Sequence, residues 1–264
     1  MTLGDFRSGI LFILSYTMKY FLIALQFLTR IPVRIKVEIQ TQDYSRSMIY
    51  FPLIGFVLGL SQVLIFKAAI VFLSKAAAEI LVITAYLFLT GAIHIDGLAD
   101  TIDGLYGGRG NREKTLEIMK DSSVGAMGAL AISLDVILRF VLLDSLSIAK
   151  IPQALIAMAV LGRWGQVLFA LNSTAAKPNS TGGYFSSSLS PGIFILATGI
   201  MLLINIFVLK SLSLLCIFFL ILLIVMAAKN YFKRKLSGIT GDTIGAINEL
   251  TEISVLLWMS TAGI

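Results

Sequence analysis

The sequence predicts an all-α membrane protein, a polytopic helical bundle of about seven to eight transmembrane helices. Hydrophobic residues make up 57% of the 264 residues, charged residues make up only 14%, and the mean hydropathy is +0.91. Soluble domains carry about 25% charged residues, so this composition excludes an ordinary soluble fold. No internal repeat or low-complexity linker divides the chain. We therefore expect one integral membrane catalytic domain over residues 1–264.

Apolar stretches recur along the whole chain. A spanning helix needs about 20 mostly apolar residues. The stretches that meet this criterion are 9–29, 48–66, 76–94, 124–144, 151–171, 191–209, 211–228 and 245–263. The first is interpreted as a retained span, because no small-residue cleavage site follows it. The run 191–228 is too long for one helix, so a tight hairpin is expected at Lys210-Ser211.

The basic residues predict the orientation of the bundle. Segments 30–47, 95–123, 172–190 and 229–244 together hold 13 Lys and Arg, whereas the N-terminal segment and the remaining connections together hold 5. Eight alternating spans place these four segments on one side, which the positive-inside rule identifies as cytoplasmic. We therefore expect a multi-pass protein of the cytoplasmic (inner) membrane whose active site faces the cytoplasm. The net charge of +6 is loop charge of this kind, and nucleic-acid binding is not expected.

Three carboxylates stand at helical spacing in residues 94–109, which read His-Ile-Asp-Gly-Leu-Ala-Asp-Thr-Ile-Asp-Gly-Leu-Tyr-Gly-Gly-Arg. Asp96, Asp100 and Asp103 follow at i, i+4 and i+7, so they lie within about 60° on one helix face. Neighbouring carboxylates ~6 Å apart repel by roughly 2–3 kcal/mol per pair. A positive partner or a bound proton must offset this repulsion. A divalent metal ion is the predicted partner, and ordinary interfacial charges are the alternative.

The residues after these acids predict a phosphate ligand. Gly107 and Gly108 allow backbone amides to approach an anion, and Arg109 is suited to bidentate pairing with phosphate. Lys120 and Asp121 follow just before the next span. Because Mg²⁺ is commonly shared between carboxylates and substrate phosphates, the pattern favours a magnesium-bound polyphosphate. Asp121 is either a fourth acid of this site or the N-cap of the next helix.

A second polar cluster opens the last predicted span. Asp242 precedes the span, and Asn248, Glu249 and Glu252 lie in its first turns. Acids within a span are costly and usually line a cavity or a site. The alternative for Asp242 is a helix N-cap, and the alternative for the two glutamates is pairing with an intramembrane arginine.

Two arginines qualify as that partner. Arg139 lies within the predicted span 124–144, and Arg163 lies in Gly162-Arg163-Trp164-Gly165. Arg163 either extends to the interface or binds phosphate. His94, the only histidine, adjoins the acids and is a base, a hydrogen-bonding positioner or a packing residue.

Taken together, these motifs resemble the cobalamin synthase family, the adenosylcobinamide-GDP ribazoletransferases. The matching stretches are 27–33, 51–55, 94–101, 103–104, 107–109, 117–122, 162–164 and 240–249, in family order over nearly the whole chain. Two positions depart from the family pattern. Ser123 stands where an arginine is frequent, and Ala176-Lys177-Pro178-Asn179-Ser180 replaces the usual Ala-Arg-Pro-Glu-Gly.

The resemblance implies a magnesium-dependent membrane transferase of cobalamin biosynthesis. Its substrates are adenosylcobinamide-GDP and α-ribazole or α-ribazole 5′-phosphate, and its products are adenosylcobalamin or its phosphate together with GMP. Our hypothesis is that Asp96, Asp100, Asp103 and Asp121 hold Mg²⁺. Either Asp103 or Asp121 accepts the proton of the attacking hydroxyl.

The same hypothesis assigns the substrate contacts. Arg109, Lys120 and Arg163 stabilise the diphosphate beside Gly107 and Gly108. The pocket is completed by a second set of residues, namely Asp242, Asn248 and Glu249.

Two other functions remain open at this point. Asp100-Thr101-Ile102-Asp103-Gly104 resembles the start of the CDP-alcohol phosphotransferase signature, but the rest of that signature is not in register, so the match indicates similar chemistry only. A lipid enzyme of this type, which would release CMP, is the second hypothesis. A cation-coupled transporter predicts acids spread over repeated halves of the chain, which is not the pattern here. The sequence leaves the oligomeric state open.

Overall fold

The computed structural model describes residues 17–177, 180–209 and 213–261. Within these ranges the regular structure is helical, apart from one isolated parallel bridge between Ala175 and Ile239. The helices are α1 (Thr17–Leu28), α2 (Thr41–Ser47), α3 (Phe51–Ala69), α4 (Lys75–Thr90), α5 (Ile93–Gly107), α6 (Arg112–Ile118), α7 (Ala126–Asp144), α8 (Ile151–Ala170), α9 (Thr181–Ser186), α10 (Pro191–Leu209), α11 (Ser213–Leu236) and α12 (Gly241–Thr261). A 3-10 turn, Met48–Tyr50, joins α2 to α3. The predicted all-α class is confirmed.

Five helical segments are long and apolar enough to cross a membrane, namely Thr41–Ala69, α7, α8, α10 and Leu215–Leu236. The pair α4 and α5 passes the same test only when both helices are taken together, which gives up to six spans in the described ranges. This supports the polytopic bundle with fewer spans than the predicted seven to eight. The predicted span 9–29 is described only from Thr17. The predicted span 245–263 corresponds to α12, which is 21 residues long but is not among the five.

The prediction of one straight span over residues 76–94 is wrong at its C-terminal end. Gly91 and Ala92 both adopt left-handed backbone angles, with φ of 65° and 57°. A right-handed helix does not continue through two such residues, so α4 ends at Thr90 and α5 leaves it at 85°. The acids at 96, 100 and 103 therefore lie on a separate helix.

The other predicted spans agree better with the structure. Predicted spans 124–144, 151–171 and 191–209 match α7, α8 and α10 within two residues at each end. Predicted span 48–66 lies inside the longer segment Thr41–Ala69, and 211–228 is extended by α11 to Leu236. The hairpin expected at Lys210-Ser211 lies outside the described residues.

Helix α8 is the centre of the bundle, because its residues 157–170 are all buried. Gly55 and Gly59 of α3 allow this helix to approach α8 at backbone distance, as small residues do in membrane bundles. A Cβ on Gly59 would lie 2.7 Å from the Cα of Ile156, and one on Gly55 would collide with the carbonyl of Ala159. Gly162 and Gly165 of α8 admit α12 in the same way. The bundle core is thus built on glycine contacts to α8.

Gly55→Val is expected to lower the thermal stability of the detergent-purified protein, because the added side chain meets backbone atoms of α8. We expect a loss of roughly 1–3 kcal/mol, the usual cost of overpacking. The matched control is Gly199→Val on exposed α10, where an added Cβ has nothing within 4 Å. Equal unfolding temperatures for the two variants would contradict the glycine packing.

Candidate active site

The starts of α5 and α12 touch through two glycines. A Cβ on Gly97 would lie 2.8 Å from the carbonyl oxygen of Asp242, and one on Gly245 would lie 3.1 Å from that of His94. A side chain at Gly97 would collide with the backbone of Asp242, and one at Gly245 would require the backbone at His94 to shift. This contact brings Asp242 to the acidic face of α5.

Four carboxylates form the acidic cluster, which we define as Asp96, Asp100, Asp103 and Asp242. Asp100 is partly buried and lies in the negative field of the other three. In the described parts of the chain, no three His, Cys, Asp or Glu side chains converge closely enough to form a ready-made metal cage. Among the residues that the structure describes, no ion pair engages these four carboxylates, so the cluster is a concentration of negative charge.

Asp103 has a structural role that the sequence does not predict. Its carboxylate accepts hydrogen bonds from the backbone N–H of Gly125 at 2.7 Å and of Gly128 at 2.8 Å. These amides open α7, so Asp103 caps that helix from 22 residues upstream. A carboxylate has about four acceptor positions, so its predicted roles as metal ligand and proton acceptor stay predictions.

Asp121 is not the cap of the following helix, which was the alternative for it. It is exposed, and its carboxylate accepts a hydrogen bond from the N–H of Ser123 at 3.0 Å. This hydrogen bond lowers the pKa of Asp121. Asp121 lies in the exposed connection between α6 and α7, and its metal and catalytic roles stay predictions.

Asp242 is also not an N-cap. Thr240 caps α12 by a reciprocal pair of bonds, in which Thr243 N donates to Thr240 Oγ1 at 3.1 Å and Thr240 N donates to Thr243 Oγ1 at 2.9 Å. The Thr240 side chain also hydrogen-bonds Asp242. The Asp242 carboxylate is thus held in place while remaining directed to a cavity.

Two adjoining cavities meet at Asp96. The larger, of about 520 Å³, is lined by Arg30 and by the break between α4 and α5. The smaller, of about 130 Å³, is lined by His94, Gln166 and Asp242. Both cavities include Phe27, Ile93 and Asp96 in their walls. We call the two together the acidic cleft.

Arg30 supplies a cation to the acidic cleft, and the sequence analysis had counted it only as loop charge. Its backbone N–H donates to Leu89 at 2.7 Å, and its side chain lies over Gly91, where a Cβ would come within 2.8 Å of its Cγ. In the described ranges no ion pair or side-chain hydrogen bond engages its guanidinium. Its place in the family-like stretch 27–33 was the signal that pointed to it.

A second group of cations lies beside α6. Burial lowers the pKa of Lys177, and the neighbouring charge of Lys120 lowers it further. Arg112 fixes this region by donating to the carbonyls of Leu236 at 2.9 Å and of Ala176 at 2.6 Å. The Lys177 ammonium donates to the carbonyl of Leu116 at 3.4 Å, which places this group of cations at the end of α6. Lys120 was predicted as a phosphate contact, whereas Lys177 was not.

The glycines after the acids have a packing role in the structure. The N–H of Gly108 is used within α5, where it donates to Gly104 at 2.9 Å. A Cβ on Gly107 would lie 2.7 Å from Cδ1 of Ile118 in α6. Arg109 is exposed in the turn that follows, at φ 49°. Phosphate binding by these three residues stays a prediction.

The polar residues of α12 form a buried ion-pair network with two arginines. Arg139 donates to Asp135 at 2.7 Å, to Glu252 at 2.6 Å and also to Glu249. Arg163 binds Glu252, and it also binds the hydroxyl of Tyr86, which donates to the same carboxylate. The pairing of Glu249 and Glu252 with intramembrane arginines, one of the two alternatives, is confirmed.

Asn248 belongs to the same network, since its amide donates to Glu249 and to Glu252, both at 3.0 Å. Asn248, Glu249 and Arg163 are each at most 4% exposed. The structure thus gives these residues a part in holding helices together. Their predicted contacts with substrate stay predictions.

Comparison with known proteins shows one consistent relationship. A family model described as Cobalamin-5-phosphate synthase matches residues 20–260. The adenosylcobinamide-GDP ribazoletransferase of Clostridium botulinum strain Okra is 35% identical over 237 residues, which cover 90% of this chain and 95% of that protein. Proteins of the same name from Clostridium novyi and Acetivibrio thermocellus are 35% and 33% identical, each over 91% of this chain and 96% of the relative. No solved structure matches the chain.

Asp103→Ala is expected to destabilise the protein by about 1–2 kcal/mol, because the first amides of α7 lose their cap. The matched control, Asp100→Ala on the same helix, removes a like charge and is expected to leave the unfolding temperature unchanged or raised. Thermal unfolding in detergent without divalent cations measures both. Equal losses in the two variants would show that Asp103 is not a specific cap.

Proposed function

Because the chain belongs to the cobalamin-5-phosphate synthase family, we propose that it is an adenosylcobinamide-GDP ribazoletransferase of cobalamin biosynthesis. The observation that carries the proposal is the similarity to transferases of this name over nine-tenths of the chain. The proposed reaction joins adenosylcobinamide-GDP to α-ribazole, or to its 5′-phosphate, and releases GMP. The lipid-enzyme and transporter hypotheses are not carried further, since the relatives share this one name.

The proposed chemistry is phosphoryl-type transfer from a diphosphate to a ribose hydroxyl. A ribose hydroxyl oxygen of α-ribazole bonds to the phosphorus on the corrinoid side of the diphosphate, and the bond from that phosphorus to GMP breaks. The hydroxyl proton passes to a carboxylate, and GMP leaves with the electron pair of the broken bond. The chain must therefore supply a proton acceptor, compensation for diphosphate charge, and a place for both substrates.

Asp242 is the proton acceptor that we favour over the two originally predicted. Asp103 already accepts two amide hydrogen bonds, and Asp121 is exposed outside the acidic cluster. Asp242 lines the smaller cavity next to Asp96, and its side chain is held by Thr240. A general base must lie within hydrogen-bond reach of the proton that it takes, and a cavity wall meets that requirement.

The acidic cluster fits Mg²⁺ by its donor chemistry. Its ligands are carboxylate oxygens, and crowded like charges favour a bound cation. Mg²⁺ sites commonly combine one or two carboxylates with substrate phosphates, so a three-ligand protein cage is not required. Asp96 and Asp100 would hold the ion, which when bound supplies charge neutralisation at the diphosphate oxygens.

Arg30 and the Lys120–Lys177 pair are the cations that we assign to the phosphates. Arg30 shares the wall of the 520 Å³ cavity with Asp96, so a diphosphate bound there would meet positive charge on both sides once magnesium is present. The neighbouring charges of Lys120 and Lys177 near α6 would provide a second group of cations for a phosphate. We further propose that this face of the bundle is cytoplasmic, in line with the positive-inside rule.

Asp96→Asn and Asp100→Asn are each expected to reduce GMP release at least ~100-fold while the protein stays folded in membranes, because the metal-linked charge compensation is lost. The assay measures GMP from adenosylcobinamide-GDP with α-ribazole, with Mg²⁺ present and after its removal by a chelator. Asp144→Asn, at the far end of α7, is the control. Turnover near that of the control in either variant, or full turnover in the chelator, would overturn the magnesium assignment.

Arg30→Gln is expected to raise the KM for adenosylcobinamide-GDP about tenfold, since a charge-assisted contact to phosphate is worth roughly 1.4 kcal/mol or more. Arg34→Gln, an exposed residue of the same connection, is the matched control. The KM for α-ribazole should not change in either variant. Identical kinetics for the two variants would remove Arg30 from the site.

A further inference from the structure

We propose that a pocket at the basic end of α11 binds the phosphate headgroup of an anionic phospholipid. This cavity, the α11 pocket, has a volume of about 300 Å³, and its polar wall includes Asn172, Ser173, Lys229, Asn230 and Lys233. It shares no lining residue with the acidic cleft. The proposal therefore concerns a site separate from the proposed transferase chemistry.

The pocket lies at the depth where two apolar helices end. The ammonium of Lys229 donates to the carbonyl of Leu168 at 3.5 Å and also to that of Leu171, at the end of α8. Apolar α8 and the apolar part of α11 thus stop at one level, and the pocket opens there. In a bilayer this level is the boundary between hydrocarbon and headgroups.

One face of α11 carries exposed apolar side chains that lead along the helix into the pocket. Phe219, Leu223 and Met226 follow at i, i+4 and i+7, and their exposed fractions are 62%, 69% and 43%. Asn230 and Lys233 continue along the same face with the same spacing. Met226 also lines the pocket. An acyl chain along the apolar part would place its headgroup against the polar part.

The charge of the pocket selects an anionic headgroup. Two lysines line it, and no Asp or Glu does. In the described ranges Lys233 has no ion pair, so its charge is available to a ligand. A zwitterionic headgroup would bring its own cation against these lysines, whereas phosphatidylglycerol brings only the phosphate.

The test is native mass spectrometry of the full chain in detergent, with phosphatidylglycerol, phosphatidylcholine or inorganic phosphate added at equal concentrations. We expect bound phosphatidylglycerol and a raised unfolding temperature with that lipid alone. Lys233→Gln should weaken binding about fivefold, the effect of one basic residue near an anionic surface. Lys235→Gln, exposed at the same helix end but outside the pocket, should not.

Three outcomes would overturn the proposal. Equal stabilisation by inorganic phosphate would identify a free-anion site, and equal binding of phosphatidylcholine would remove the charge selection. Equal weakening in the Lys233 and Lys235 variants would show a diffuse surface attraction. Because GMP release is not the readout, failure of this proposal is distinguishable from failure of the proposed transferase function.

Discussion

The bundle depends on two arginines that are buried between four helices. Arg139 of α7 and Arg163 of α8 both bind Glu252 of α12, and Tyr86 of α4 joins them by its hydroxyl. Buried charges are tolerated only when they are paired and hydrogen-bonded, and the hydrocarbon of a bilayer offers no substitute partner. The pairs therefore fix the height and rotation of these helices relative to one another. The position of the acidic cluster follows from that arrangement.

The acidic cluster is held by contacts that are themselves unreactive. Gly97 and Gly245 set the separation of α5 and α12, and Thr240 holds Asp242 at the first turn of α12. The left-handed pair Gly91 and Ala92 turns α5 out of the direction of α4. These contacts keep the carboxylates near one another despite their mutual repulsion.

Much of this organisation could be predicted from the sequence where the signal is local. Composition predicted the membrane bundle, and helical spacing placed three acids on one helix. The bend at Ala92 could not be predicted, because alanine rarely adopts a positive φ and nothing in its neighbours requires it. Arg30 was missed as a site residue for another reason, since it reaches the acidic cleft across more than 60 residues of sequence. Asp121 and Asp103 both precede α7, and only the folded chain shows which one caps it.

The cap that Asp103 provides has a consequence for biogenesis. The ribosome delivers Asp103 before it delivers α7, and the amides of Gly125 and Gly128 need that carboxylate once they leave water. The first amides of α7 are therefore satisfied by a side chain that has already been synthesised. This cap therefore needs no segment that is synthesised after α7, in contrast to the buried Arg139, whose partners Glu249 and Glu252 come with α12.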